Sequence, residues 1–408
     1  MASRISQTPL QRRRRLRAGR TQLLFTLVGL GLGLAVPRVT GGPTAPARQV
    51  TDMLLGLGFG VLGATAVIFS LLFLVVQWAH TTFTPRLTLF REAPIVWRTF
   101  AFAISLAAFC ITAALAIGSR TDVSVAVPVV AGVLLLVMLA LLRTLQLRAF
   151  AAIQLAPVLH SITERGRIIL DALYPHDGAS APATSGPLPP LYSTLTWPRP
   201  LTVLQQVDTV RLLAAAQAAN AVVVLHSLPG DTLPHGATIA DVHGAQLPAS
   251  AVLDALVTGT ERTFEQDPQL AFRLLADIAL RALSAAVNDP ATAVQCLDCL
   301  EDLLGGPAAA QSGRPLQVTG PDGAVRVVVE LPGWEDFLRT SLDDVIAAAV
   351  NSPMVLLRLR TLLMRLRAES HPDRDELLIR RLAWVEGELG GRFPLLLREA
   401  AGASPDGG

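Results

Sequence analysis

Four long apolar blocks lie in the first third of this chain, and they constrain its fold more than any other feature. The hydrocarbon core of a bilayer is ~30 Å thick and is crossed by ~20 apolar residues of helix, within a range of about 17 to 25. Met53 to Ala79 carries no charge, and Phe100 to Gly118 and Val123 to Leu142 are also long enough. The first block, Leu23 to Val36, is shorter and admits two readings. Extended to Gln22 and Val39 it makes a short spanning helix. With RRRRLRAGR before it and GGPTAPA after it, it also has the layout of a secretory signal. Its length and flanks favour the helix. Only 16% of the 408 residues are charged, against ~25% in soluble domains, so a soluble protein of this size is not expected.

Arginine placement near the helix ends predicts the orientation. Residues 1–20 hold Arg4, Arg12, Arg13, Arg14, Arg15, Arg17 and Arg20; the connection from His80 to Thr99 holds Arg86, Arg91 and Arg98. Arg143, Arg148, Arg165 and Arg167 follow the fourth block, whereas the alternate connections hold only Arg38, Arg48 and Arg120. The N-terminus, the middle connection and the C-terminal region are therefore expected on the cytoplasmic side of the membrane. The apolar cores contain no Asp, Glu, His or Arg, which disfavours a charge-driven pump. Ser70, Gln77, Ser105 and Thr112 remain, and hydrogen bonding between helices is the expected use of such groups.

Glycines in these blocks fit helix contacts. Gly58, Gly60 and Gly63 spell GxGxxG, but no strand precedes them and no acidic residue follows at the right distance, so a dinucleotide site is rejected. The pairs Gly29/Gly33 and Gly56/Gly60 read instead as small faces for packing between helices one and two, or between subunits of a homo-oligomer.

All 34 basic residues are arginine. A chain without lysine has no Walker loop, no pyridoxal Schiff base and no lysine nucleophile. The net charge of +2 gives no argument for nucleic acid, and three cysteines make no disulfide framework.

Beyond the membrane blocks, residues 150–174 extend the fourth helix, with a kink expected at Pro157. Residues 175–200 read as a Pro-rich linker, 201–250 as a small β-containing unit, 251–390 as a mainly helical region and 391–408 as a flexible tail. Within the β unit, LPGDTLPHGATIADV reads as a tight strand-turn-strand. It is similar to the hairpin of lipoyl-like modules, but the lysine those modules modify is missing, and a structural role is expected.

The densest polar set is Arg262, Gln266, Asp267, Arg273, Asp277, Arg281, Ser284, Asn288 and Asp289. Arg273, Asp277 and Arg281 recur at i, i+4 and can share a helix face. Asp289 can cap the helix that Pro290 begins. A salt-bridge network is the favoured reading of the set and a polar ligand site the second; no histidine lies in this stretch to serve as a base, so catalysis is not expected. Cys296 and Cys299 form a CxxC on a helix without evident zinc partners; His226, His235 and His243 have no supporting spacing. No metal or cofactor is expected. Arg358, Arg360, Arg365 and Arg367 make either a face for anionic lipid or, by slight preference, a solvated face balanced by acids.

These residues carry a resemblance. Arg262-Thr263, Gln266-Asp267, Asp277-Ile278-Ala279, Arg281-Ala282-Leu283-Ser284, Asn288-Asp289-Pro290 and Thr292-Ala293 resemble the signature of a bacterial membrane-protein family, domain of unknown function 2254. Phe69-Ser70 and Phe83 to Leu87 resemble its second-helix exit, and Ala285 departs from the proline expected after the serine. The resemblance implies an integral membrane protein with a cytoplasmic C-terminal domain, and no particular activity. The fold expected is an α-helical integral membrane protein with four transmembrane helices and a C-terminal α+β cytoplasmic domain. The lipid bilayer is its expected partner, and sensing, scaffolding or regulation its expected role, with an oligomeric channel or passive transport protein as the alternative.

Overall fold

A computed structural model describes residues 10–39, 41–82, 94–174, 188–306 and 315–402. The N-terminal nine residues, most of the Pro-rich linker and the last six residues lie outside the described residues. The chain divides into two compact units, Leu10–Val158 and the part from Leu159 onward.

The first unit is helical. It comprises α1 (Leu10–Ala35), α2 (Ala47–Thr82), α3 (Pro94–Ile117) and α4 (Ala126–Ile153). Four stretches are long and apolar enough to cross a membrane: Thr21–Arg38, in α1 and the short 3-10 turn after it, Ala47–Leu74, Ile95–Ile117 and Ala126–Arg148. The third is the inner helix, with α1, α2 and α4 packed around it. Leu24, Leu27, Phe59, Val67, Phe73, Leu115 and Leu136 point outward. So wide an exposed apolar surface suits lipid rather than water.

Two short strands tie one end of this unit together. Strand β1 (Thr44–Pro46) pairs antiparallel with β2 (Asp122–Ser124), joining the α1–α2 and α3–α4 connections. Arg120 donates to the Pro37 carbonyl at 2.6 Å and Ser124 Oγ to that of Gly41 at 3.0 Å. Neither strand stands out from a three-residue sequence pattern.

The Gly29/Gly33 face meets a different helix from the one expected. Gly29 and Gly33 pack on α3, against Ser105 and against Phe109 and Thr112, rather than on α2. The register advances in the same direction on both helices, so α1 and α3 run parallel. Ser105 Oγ donates to the Phe25 carbonyl at 2.6 Å, while Thr112 Oγ1 bonds back to its own helix. Gly56 and Gly60 face open space, and α2 reaches α3 through Gly58, where an added Cβ would lie 3.1 Å from Cys110 Cβ. Because α3 lies between α1 and α2, the expected contact between helices one and two is replaced by two contacts with helix three.

Helix α5 (Leu155–Leu173) follows α4 after a break at Gln154. The kink expected at Pro157 therefore falls three residues earlier. A proline ring collides with the carbonyl four residues back, here that of Ile153, where α4 stops.

The second unit is mixed α/β. A five-stranded sheet has the order β3 (Leu191–Thr196), β7 (Thr238–His243), β5 (Val222–Leu225), β10 (Val325–Val329), β9 (Leu316–Thr319), with only β5 and β10 parallel. A three-stranded antiparallel sheet has the order β6 (Thr232–Leu233), β4 (Thr202–Val207), β8 (Leu256–Gly259). Trp197, Leu204, Val223, Leu225, Ile239, Val242, Val327 and Val329 form their common core with Leu212 of α6 (Thr209–Ala218). The strand-turn-strand predicted at PGD is thus no hairpin. Its β6 pairs with β4 and its β7 with β3 and β5, because the chain turns through Pro234–Gly236 from one sheet to the other.

After the short α7 (Ala249–Leu253), the helices are α8 (Leu270–Ala282), α9 (Pro290–Gly305), α10 (Trp334–Leu338), α11 (Asp344–Ala348), α12 (Pro353–Glu369), α13 (Asp375–Arg392) and α14 (Pro394–Gly402). A π turn at Arg339–Asp343 joins α10 to α11. This turn sets Asp343 on Arg381, at 2.6 and 3.0 Å, and Asp344 on Arg273 at 3.4 Å. Tyr174 and Phe272 pack on Phe337 just before it.

Candidate functional site

The signature residues begin where β8 ends. Gln266 binds the last residue of β4 at both backbone groups, accepting from Val207 N at 2.8 Å and donating to Val207 O at 3.2 Å. Its amide thereby replaces a missing strand partner. Nearby, Gln205 Nε2 donates to the Glu261 carbonyl at 2.7 Å.

Asp267 is the buried charge of the site, its side chain 1% exposed. Arg262 grips it with two bonds, Nε–Oδ2 at 2.6 Å and Nη2–Oδ1 at 2.8 Å. Gln269 N donates to Oδ1 at 3.0 Å, which tightens the turn ahead of α8. Burial pushes the Asp267 carboxyl up, and the guanidinium pulls it back toward the ionised form. Arg262 is also held charged by the fields of Asp231 and Asp277. Paired charges at this depth are tolerable only when their hydrogen bonds are satisfied, and the bidentate geometry does this.

Gly230 closes the other side. Its φ is +104°, and a Cβ there would fall on the Asp267 carboxylate and Arg262. Gly230 N bonds the Leu204 carbonyl at 2.7 Å, and Asp231 Oδ2 accepts from Leu228 N at 2.7 Å. The PGD turn therefore rests on the Arg262–Asp267 pair. Sequence reasoning noted that turn but did not connect it to the pair; its only signal was a glycine before an aspartate, about thirty residues away.

The remaining residues divide. Arg273 pairs with Asp277 at 2.9 Å and with Asp344 at 3.4 Å. Arg281 does not extend this series: its Nε is buried without a hydrogen-bond partner among the described residues. Ser284, Asn288 and Asp289 build the turn between α8 and α9. Ser284 Oγ bonds the Arg281 carbonyl, Asn288 takes φ +49°, and Asp289 caps α9 by accepting from Thr292 N at 3.1 Å and Thr292 Oγ1 at 2.6 Å. Those bonds hold its carboxyl below the usual value. The cap therefore adds stability above the ordinary carboxylate range and loses it as pH falls through the lowered value. Asp289→Ala should cost about 1 kcal/mol at neutral pH, and its thermal unfolding should converge with that of the parent chain on acidification.

Cys296 is fully buried on α9 and Cys299 partly so; burial pushes both thiols up, away from reactivity. His226 engages Asp241 at 2.9 Å and His243 the Pro189 carbonyl at 2.9 Å. No group of three or more His, Cys, Asp or Glu among the described residues is placed to hold a metal. The four arginines of α12 are balanced: Arg358 by Asp298 and Glu301, Arg360 by Glu386, Arg365 by Glu301, and Arg367 by Asp375. A shallow groove of about 460 Å³ lies between Arg360, Met364 and Arg367 of α12 and Leu382 of α13.

The chain is 27% identical over 345 residues to uncharacterised proteins of Mycobacterium bovis and Mycobacterium tuberculosis, an alignment covering 79% of this chain and 64% of theirs. It thus spans under two thirds of the length of these relatives. No solved structure matches it significantly. The model of a family described as predicted membrane protein (DUF2254) matches residues 20–365, through the four apolar helices, both sheets and the Arg262–Asp289 signature, and the chain belongs to that family.

Proposed function

We propose that the chain is an integral protein of the bacterial cytoplasmic membrane, with both termini in the cytoplasm. In this reading its mixed α/β unit serves sensing, scaffolding or regulation without catalysing a reaction. One observation carries the reading: the polar groups that would line a path or a catalytic centre are largely spent on internal bonds. Ser105 bonds Phe25, Thr112 bonds its own helix, and Asp267 is enclosed by Arg262, Gln269 and Gly230. An ion path needs polar groups turned toward it.

One observation favours the second reading, an oligomeric channel or passive transporter. Ser70, Gln77, Gly56 and Gly60 are exposed on α2, on a face a second copy could meet. The purified chain in liposomes separates the two. The first reading expects ion and small-solute flux no greater than in empty vesicles, and reproducible conductance would replace it with the second.

A further inference from the structure

Among the described residues, the helical unit has one end where arginines have no carboxylate beside them. Its described carboxylates are Asp52 and Asp122, near the start of α2 and in β2, and both belong to the end tied by the β1–β2 ribbon. At 1.5 Å rise per residue, Arg98 lies ~28 Å along α3 from its Ile117 end and Arg143 ~26 Å along α4 from its Ala126 end. That distance is about one hydrocarbon thickness. Arg148 lies ~7 Å farther out. All three arginines are exposed, and Trp97, beside Arg98, is 51% exposed. No described carboxylate of this unit is at their level. The arginines of α12 in the second unit, by contrast, each have an acid partner.

We propose that Trp97, Arg98, Arg143 and Arg148 form a docking surface for the headgroups of anionic phospholipids in the leaflet that meets this end. Charge complementarity carries the assignment: three cations with no acid at their level among the described residues of this unit sit at the depth where lipid phosphates lie. Arginine suits that partner, because its planar fork binds phosphate oxygens in pairs and keeps its charge at any physiological pH. The indole supplies the amphipathic ring that favours the same layer. The surface gives the unit an affinity for anionic lipid that its opposite end lacks, and so a preferred leaflet. The proposal rests on the membrane reading above.

The test compares the full chain in nanodiscs of phosphatidylcholine alone with nanodiscs of phosphatidylcholine mixed with phosphatidylglycerol, following thermal unfolding and the lipid retained in native mass spectra. The mixed discs should raise Tm by a few degrees and leave phosphatidylglycerol bound. The triple variant Arg98→Gln/Arg143→Gln/Arg148→Gln should lose both effects, while Arg38→Gln/Arg48→Gln at the other end keeps them. Should the triple variant not fold, Arg148→Gln alone should lose part of the Tm difference and of the bound lipid. Glycerol phosphate in solution should not replace the lipid. Equal Tm in both discs, an undiminished difference in the arginine variants, or full replacement by glycerol phosphate would overturn the proposal. A chain that enters neither disc would overturn the membrane reading instead.

Discussion

Asp267→Ala is expected to destabilise the mixed α/β unit by about 3–5 kcal/mol, because it leaves the Arg262 guanidinium without the carboxylate that neutralises it. Arg262 then retains only the more distant fields of Asp231 and Asp277. The turn into α8 loses the bond from Gln269 N as well. The double variant Arg262→Met/Asp267→Leu should lose less than the single one, since a buried pair replaced by apolar groups of similar size is often nearly neutral. Gly230→Ala should approach the single variant's loss, its Cβ forced into the pair at a φ that disfavours any side chain. Unfolding by tryptophan fluorescence in detergent checks all three. A single variant no weaker than the double would show that the pair does not hold these elements together.

Gly33→Leu should have the second large effect, here in the helical unit. A side chain at Gly33 meets Thr112 and the Phe109 carbonyl, so α1 must lift from α3 or shift along it. Helices in lipid associate through close backbone approach rather than hydrophobic drive, and overpacking costs about 1–3 kcal/mol even where neighbours can yield. Here the neighbour includes backbone, so about 3 kcal/mol is expected. Gly60→Leu, facing open space in one chain, should leave the monomer's stability within about 0.5 kcal/mol. Proteolysis of the α1–α2 connection in reconstituted protein reads the difference: faster cleavage in Gly33→Leu and unchanged cleavage in Gly60→Leu.

The two glycine pairs show what could be read from sequence and what could not. Both satisfy GxxxG, and the pattern states that a backbone can approach there. It does not name the partner helix, which depends on how the β1–β2 ribbon sets the two connections. In the second unit, β4, α6 and β5 are legible because LTVLQQV is strand-like, TVRLLAAAQA is helix-like and VVVL is an unbroken apolar run of strand formers. Strand β3 was hidden among prolines, and β8 is a four-residue segment that is a strand because β4 supplies its partner. At the candidate site, the Arg262–Asp267 pair was within reach, being five residues apart. The role of Gly230 was not, since it depends on where the turn between β5 and β6 is placed. The i, i+4 series also misled at its last member, because Arg281 sits in the final turn of α8, where the chain leaves for the Asn288 turn.

The central claim is that four helices cross the bilayer with both chain ends on one side. Labelling of single cysteines in intact cells by a membrane-impermeant maleimide tests it most directly, in a background where Cys110, Cys296 and Cys299 are replaced by serine. Gly41→Cys and Ser119→Cys, in the two connections joined by the β1–β2 ribbon, should label without permeabilisation, and Ser370→Cys, between α12 and α13, only after it. Labelling of Ser370→Cys in intact cells, or protection of Gly41→Cys and Ser119→Cys there, would contradict the account.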